Sequence, residues 1–220
     1  MSIAFVFPGQ GSQSVGMQND LASHHSIVEQ TYAEASEVLG FDLWQLVTTG
    51  SEEQLKQTAT TQPALLTAGV AAWRVWLAQH GVQPQWLAGH SLGEYSALVC
   101  AGVIDFADAV MLVRKRGKYM QAAVPAGEGA MSAVLNLDPV VVADLCQQAA
   151  LGDAVSVANF NSSVQTVVSG SAAAVARFGE LALEAGAKRV VPLPVSAPFH
   201  CQLMAPAAQQ MATLLETVSF

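Results

Sequence analysis

Positive charge is the scarcest feature of this sequence. Of its 220 residues only nine are lysine or arginine, against 17 aspartate or glutamate, which gives a formal net charge of -8. Proteins that bind phosphate backbones carry the opposite sign, so no nucleic-acid partner is expected. Charged residues make up 12% of the chain and hydrophobic residues 52%, a composition that excludes an intrinsically disordered chain and predicts a compact fold.

Long apolar runs are absent despite that hydrophobic content. Apolar segments such as Ala59–Gly69 and Tyr95–Phe106 are interrupted by polar residues, proline or glycine before they reach the length that spans a membrane. The short run Ile3–Phe7 has no basic residue before it and ends at a Pro-Gly pair, unlike a secretory signal. We therefore predict no membrane segment and a cytoplasmic location.

Cysteine and histidine are too few and too scattered for a disulfide framework or a metal site. The three cysteines lie far apart and form no C-x-x-C pair, and the five histidines show no H-E-x-x-H spacing. We expect reduced thiols, no metal and no cofactor.

Before residue 127 the pattern alternates between strands and helices. Ile3–Phe7 predicts a buried strand that ends in a glycine-rich turn. A later helix is predicted to begin at Gln62-Pro63, with proline in its first turn. Trp86–Ala88 then predicts a strand, Gly89–Gly93 a sharp turn and Glu94–Ala101 a helix, which is the order of an α/β unit.

From about residue 127 the predicted elements become shorter and follow the order strand, helix, strand, strand, helix, strand. This is the order of a ferredoxin-like split unit. The helix is predicted over Pro139–Ala150, and a turn at Asn161–Ser163 joins the two middle strands. We therefore predict a small subdomain at residues 127–195, inserted into a larger α/β domain formed by residues 1–126 and 196–220.

The segment Gly89-His90-Ser91-Leu92-Gly93 fits the pattern G-x-S-x-G between a predicted strand and a predicted helix. Glycine on either side permits a tight turn that exposes the Ser91 hydroxyl, and the helix N-terminus adds positive potential there. These features indicate that Ser91 is a nucleophile. The alternative is that Ser91 only caps the helix, a position that favours serine for its own sake.

A serine nucleophile needs a base, and two histidines are candidates. His200, in Pro198-Phe199-His200-Cys201, follows the last predicted strand of the insert, where a loop could present it to Ser91. His90 is adjacent to Ser91, but neighbouring side chains in such a turn point apart, so we expect His90 to pack against the turn or orient it. A surface or capping role is the open alternative for His200.

Four motifs occur in order along the chain: FPGQGSQ at residues 7–13, TQPA at residues 61–64, the Gly89–Gly93 turn, and Phe199-His200. With the predicted insert, they resemble the malonyl-coenzyme A:acyl carrier protein transacylases over the whole chain. The resemblance implies an α/β-hydrolase-like core with an inserted ferredoxin-like βαββαβ subdomain. It also implies transfer of a malonyl group from malonyl-coenzyme A to the phosphopantetheine thiol of acyl carrier protein in fatty acid synthesis, with malonyl-coenzyme A as the substrate and no separate cofactor.

The same resemblance implies a role for each site residue. It implies Ser91 as the acyl nucleophile and His200 as its base. The backbone amides of Gln10 and Leu92 are implied as the oxyanion hole, and Arg116 as the group that binds the malonyl carboxylate. A guanidinium suits that last role because it offers two parallel donors and stays charged when partly buried.

Arg116 lies in the basic run 114–118, RKRGK, whose other interpretation is a solvated helix face. The remaining cations of that run, with Lys188 and Arg189, are candidates for docking an acidic carrier protein. A plain surface patch is the alternative.

Members of this family continue beyond the helix that here ends near Phe220, with a further strand, closing helices and a backbone carbonyl that orients the catalytic histidine. Weak or absent activity of the 220-residue form is therefore one expectation. The alternative functions are a serine thioesterase or esterase, an acyltransferase of a polyketide or malonate decarboxylase system, and an inactive truncated domain that binds a carrier or partner chain.

Overall fold

The structure is a computed structural model that describes residues 2–220. By its internal contacts the chain forms two compact units. Unit 1 comprises Met1–Lys118 and Thr213–Phe220, and unit 2 comprises Tyr119–Ala212. The insert predicted at residues 127–195 falls inside unit 2, and its boundaries stay a prediction.

Unit 1 contains two parallel strands, β1 (Ala4–Phe7) and β2 (Trp86–Gly89). Their register pairs Phe7 with Gly89, so both strands end at the same level. The glycine-rich turn after β1 and the turn after β2 therefore leave the sheet side by side. In α/β proteins this edge, at the carboxyl ends of parallel strands, is where ligands bind.

Helices make up most of the rest of unit 1. In chain order they are α1 (Asn19–His24), α2 (Ile27–Leu39), α3 (Leu43–Thr49), α4 (Glu52–Lys56), α5 (Thr58–Ala78), α6 (Gly93–Cys100) and α7 (Phe106–Ala122), the last of which continues into unit 2. Among residues 2–220, no helix has both the length and the apolar character needed to cross a membrane.

The predicted start of α5 is wrong by four residues. The helix begins at Thr58, so Pro63 lies inside it and removes the N–H that would bond to the Ala59 carbonyl. That carbonyl instead accepts a hydrogen bond from Arg114 Nη1 at 3.2 Å. A side chain from a distant helix thus replaces the bond that proline deletes, which no local pattern around Gln62-Pro63 could reveal.

Unit 2 has the predicted order of elements. They are β3 (Gly129–Leu135), α8 (Pro139–Ala150), β4 (Val155–Ser162), β5 (Gln165–Ser171), α9 (Ala172–Glu184) and β6 (Arg189–Pro192), followed by a 3₁₀ turn (Gln202–Met204) and α10 (Ala205–Leu215). The strands form one antiparallel sheet in the order β4-β5-β3-β6, so the ferredoxin-like arrangement is confirmed. A turn joins β4 and β5 as predicted, but it begins at Ser163, two residues later than the predicted Asn161–Ser163, because β4 extends to Ser162.

Alternate residues of the central strands feed two apolar clusters, one on each face of this sheet. Val134 and Val168 join a cluster with α8 and α9, whereas Ala133 and Val167 join a second cluster. The second cluster also contains Met120, Val124, Met131, Ala197, Phe199, Met204 and Ala207. The loop that carries Phe199 is therefore fixed to the sheet by buried apolar surface.

Candidate active site

Ser91 lies on a strained turn between β2 and α6. Its backbone is left-handed, with φ of 52°, a conformation that is unfavourable for any residue with a Cβ. A Cβ at Gly89 would collide with the backbone of Gly93 and Glu94. The two glycines of the motif thus permit a turn that holds Ser91 in this conformation.

The alternative that Ser91 is present only to cap α6 is wrong. The N-cap of α6 is Leu92, which has a right-handed backbone conformation, and α6 receives no side-chain cap from it. A half-buried serine in a strained conformation outside the helix is better explained by a functional role than by capping.

The Pro8–Gln10 turn packs directly against the turn that carries Ser91, residues 89–93, which we call the elbow. The His90 N–H donates to the Phe7 carbonyl at 3.0 Å. A Cβ at Gly9 would lie 2.7 Å from the His90 carbonyl oxygen and 2.8 Å from His90 Nδ1, so His90 packs over Gly9. A Cβ at Gly93 would collide with the Phe7 and Pro8 carbonyls. Two segments about 80 residues apart in sequence therefore meet through backbone contacts that only glycine allows.

The amides of Gln10 and Leu92, which the sequence resemblance implies as an oxyanion hole, both belong to these touching turns. Within residues 2–220, neither amide donates a hydrogen bond to a backbone carbonyl. The Leu92 amide also lies at the start of α6, where the helix dipole favours negative charge. An amide without a carbonyl partner is able to donate a hydrogen bond to an oxyanion.

Arg116, on α7, contacts both Ser91 and α5. Its Nη1 donates to Gln62 Oε1 at 2.9 Å, and its Nη2 lies 3.5 Å from Ser91 Oγ. The guanidinium carbon lies 5.7 Å from the centre of the Tyr95 ring. The structure therefore brings Ser91 and Arg116 together, as the roles implied by the sequence require.

No carboxylate of the described chain forms an ion pair with the half-buried Arg116. Burial lowers its pKa, while nearby Tyr95 and Glu94 raise it. An arginine side chain stays protonated under such shifts because its ordinary pKa lies far above neutral. A partly desolvated cation without an ion-pair partner is suited to bind an anionic ligand.

The solvated-face interpretation of residues 114–118 is wrong for the inward side of α7. Arg114 stacks over the Phe41 ring at 4.8 Å and donates to Ala59, and a Cβ at Gly117 would lie 2.7 Å from the Thr58 carbonyl oxygen. Lys118 is exposed. Gly117 therefore permits the close approach of α7 to α5 that places Arg116 beside Gln62.

His200 belongs to unit 2, whereas Ser91 belongs to unit 1. Like Ser91, His200 has a left-handed backbone, with φ of 60°. The preceding residues hold it in place, because Phe199 is buried in the second apolar cluster and Pro198 packs where Gly129 leaves space. The pairing of His200 with Ser91 stays a prediction.

Gln62 is a site residue that the sequence analysis did not select. It is only 1% exposed and is the partner that orients Arg116. A signal was present, because a glutamine inside a stretch of buried helix must find a polar partner. The sequence alone could not say which partner it finds.

In the described part of the chain, no three His, Cys, Asp or Glu side chains come together as a metal site requires. The cysteines Cys100, Cys146 and Cys201 carry free thiols. Burial raises the pKa of Cys100 to about 12 and that of Cys146 to about 11, so both stay protonated at neutral pH.

Residues 4–219 match the acyl transferase domain family. The chain is 59% identical over 217 residues to the malonyl CoA-acyl carrier protein transacylase of Escherichia coli strain K12, an alignment that covers 99% of this chain and 70% of that protein. The corresponding protein of Salmonella typhimurium strain LT2 is 58% identical, with the same coverage.

Solved structures agree with these sequence relatives. The malonyl CoA-acyl carrier protein transacylase of Coxiella burnetii superposes with a TM-score of 0.98 at 53% identity, over 99% of this chain and 69% of that one. A malonyl-transacylase in complex with a type II PKS acyl-carrier protein gives a TM-score of 0.99 at 56% identity, over 100% of this chain and 71% of that one. This chain therefore belongs to the acyl transferase domain family and, within it, to the malonyl CoA-acyl carrier protein transacylases.

Proposed function

We propose that this chain transfers a malonyl group from malonyl-coenzyme A to the phosphopantetheine thiol of acyl carrier protein, through an ester on Ser91, and so supplies fatty acid synthesis. The observation that carries the proposal is the geometry of Arg116. Its half-buried guanidinium has no carboxylate partner in residues 2–220 and lies 3.5 Å from Ser91 Oγ. A substrate that combines a thioester with a free carboxylate meets both groups at once.

In the first half-reaction, His200 takes the Ser91 proton as Oγ attacks the thioester carbonyl. The carbonyl oxygen becomes an oxyanion, and the Gln10 and Leu92 amides stabilise it. One such donor is worth roughly 10²–10³ in rate in serine enzymes. The intermediate then collapses, the carbon–sulfur bond breaks, and coenzyme A leaves with the proton returned by His200. A malonyl ester of Ser91 remains.

In the second half-reaction, the thiol of acyl carrier protein attacks that ester. His200 takes the thiol proton and returns it to Ser91 Oγ as the ester bond breaks. The products are malonyl-acyl carrier protein and the free serine. Because the first product leaves before the second substrate reacts, the kinetics are expected to be ping-pong.

Arg116 supplies selectivity for the acyl group. A carboxylate can accept hydrogen bonds from both terminal nitrogens of a guanidinium, whereas the methyl of an acetyl group accepts none. Gln62 holds Nη1 of this guanidinium at 2.9 Å, which fixes the plane of the fork before substrate arrives. A malonyl group is therefore preferred over an acetyl group.

The acceptor we propose is an acidic acyl carrier protein. The structural relative with a TM-score of 0.99 is in complex with an acyl-carrier protein of a type II PKS. Lys118, Lys188 and Arg189 are exposed cations that could steer an acidic partner. A polyketide carrier is therefore the second candidate acceptor, and relative transfer rates to the two classes of carrier distinguish them. The predicted cytoplasmic location is part of this proposal.

The proposal is tested by incubating the chain with malonyl-coenzyme A and mapping the modified peptide by mass spectrometry. The expected result is one malonyl adduct, on Ser91, that disappears in Ser91→Ala. The adduct should also form much more slowly in His200→Ala. An adduct on another residue, or none at saturating malonyl-coenzyme A, would contradict the proposal.

A serine thioesterase would form the same adduct, so the acceptor must be measured as well. The acylated chain is mixed with carrier protein bearing phosphopantetheine, and the malonyl carrier and free malonate are quantified. The proposal predicts that the thiol of the carrier receives most of the malonyl groups. If free malonate accumulates at the same rate with and without carrier, the chain is a hydrolase.

A further inference from the structure

We propose that Thr58 is a positioning residue that holds the oxyanion-stabilising turn in place through the side chain of Gln10. This inference rests on the proposed function, because it explains how the Gln10 amide reaches its working position. Thr58 is the first residue of α5 and is completely buried. Its hydroxyl touches no reacting atom, so its effect is indirect.

The contact that carries the inference joins residues 48 positions apart. Gln10 Nε2 donates to Thr58 Oγ1 at 3.3 Å. The rest of the turn is held by local bonds, from Ser12 Oγ to the Gly9 carbonyl and from the Gly11 N–H to Gln13 Oε1. Local bonds shape the turn, and the bond to Thr58 ties it to a long helix.

Thr58 is itself firmly placed. Gly117 of α7 fits against the Thr58 carbonyl, and the next carbonyl, that of Ala59, accepts from Arg114. The start of α5 thus contacts α7 through its backbone and holds the Gln10 turn through the Thr58 side chain. Because the start of α5 is held in place, the Thr58 hydroxyl limits the motion of the Gln10 side chain. It thereby also limits the direction in which the Gln10 backbone N–H points.

One turn of α5 connects the two binding functions of the site. Thr58 and Gln62 are four residues apart and lie on the same face of the helix. The first contacts Gln10 and the second contacts Arg116. The same helical turn therefore positions both the Gln10 turn, which carries the oxyanion donor, and Arg116, which donates to the carboxylate. It thereby fixes the distance between these two donors.

The test compares three threonine variants of the whole chain. Thr58→Val keeps the shape and removes the hydroxyl, and Thr58→Ser keeps the hydroxyl. Thr67→Val is the matched control, because Thr67 is also buried in α5 but its hydroxyl has no hydrogen-bond partner in residues 2–220. Acylation of Ser91 is measured over a range of malonyl-coenzyme A concentrations.

Thr58→Val is expected to lower kcat about 10-fold with little change in KM, because misplacement of an oxyanion donor affects the transition state more than the bound substrate. Thr58→Ser should recover most of the rate, and Thr67→Val should match the parent. In a Gln10→Met background, Thr58→Val should have no further effect. A full 10-fold loss in that background, or no loss in Thr58→Val, would overturn the proposal.

A second measurement does not depend on activity. The ¹⁵N order parameter of the Gln10 amide is expected to be clearly lower in Thr58→Val than in Thr67→Val, because the turn loses its tie to α5 and the Gln10 N–H becomes more mobile. Equal order parameters in the two variants would overturn the positioning role even if the parent chain is acylated. If the parent chain is not acylated, the proposed function fails, and the order parameters still decide the role of Thr58.

Discussion

The surroundings of Ser91 in unit 1 and the antiparallel sheet of unit 2 differ in what holds them together. Around Ser91 the decisive contacts are polar or involve glycine, such as Gly93 against the Phe7 carbonyl and Gln62 against Arg116. The sheet is held by apolar clusters on its two faces, with Phe178 completely buried in one of them. Buried apolar side chains stabilise the sheet, whereas directed hydrogen bonds and close backbone contacts at glycine shape the surroundings of Ser91. Substitutions should separate these two requirements.

The largest effect is expected for Gly93→Ala. The added Cβ would collide with the Phe7 and Pro8 carbonyls and push the Gln10 turn away from Ser91. We expect Ser91 acylation to fall by about 10²-fold or more, since small misplacements of catalytic groups have effects of that size. The rate is measured with malonyl-coenzyme A.

The control for Gly93→Ala is Gly179→Ala on α9 of unit 2. There the nearest atom to the added Cβ is Val190 Cγ1 at 3.7 Å, an ordinary contact. This substitution should raise stability by about 0.5–1 kcal/mol, because alanine favours helix more than glycine does. Equal acylation by Gly93→Ala and the parent chain would contradict the account of the elbow.

The next largest effect is on stability, for Phe178→Ala. Removing this buried ring leaves a cavity in the apolar cluster that the sheet forms with α8 and α9. We expect a loss of about 3–5 kcal/mol in the free energy of unfolding. Leu183→Ala on the same helix is the control, because Leu183 is 54% exposed. Denaturant unfolding measures both. Equal losses in the two variants would mean that the cluster does not stabilise unit 2.

A smaller effect is expected for Arg114→Met, which leaves the Ala59 carbonyl without its donor. We expect a loss of about 1–2 kcal/mol in the free energy of unfolding. In a Pro63→Ala background the loss should be smaller, because alanine supplies the N–H that the Ala59 carbonyl lacks. If the two substitutions are additive, Arg114 does not compensate for the proline.

The difference between the two regions also decides how far the sequence could predict them. The helix Pro139–Ala150 is predicted to the residue because its signals are local: Asp138 caps it and proline occupies the first turn. The start of α5 is missed because Arg114, from another helix, makes an interior Pro63 tolerable. Alternation and capping are visible in a sequence, and a distant partner is not.

The candidate site divides in the same way. Ser91 is identifiable from a local motif, since its glycines and flanking elements are consecutive. Arg116 is selected only through resemblance, because nothing local distinguishes it from Arg114. Gln62 and Thr58 are missed, since each acts through a residue about 50 positions away.

The most direct test of the account is the preference of Ser91 for malonyl-coenzyme A over acetyl-coenzyme A in the parent chain and in Arg116→Ala. Both substrates are offered together, and the two adducts are quantified by mass spectrometry. We predict that the parent prefers malonyl and that the substitution reduces this preference by about 10- to 100-fold, the range expected for charge-assisted hydrogen bonds. An unchanged preference in Arg116→Ala would show that the guanidinium beside Ser91 does not bind the malonyl carboxylate.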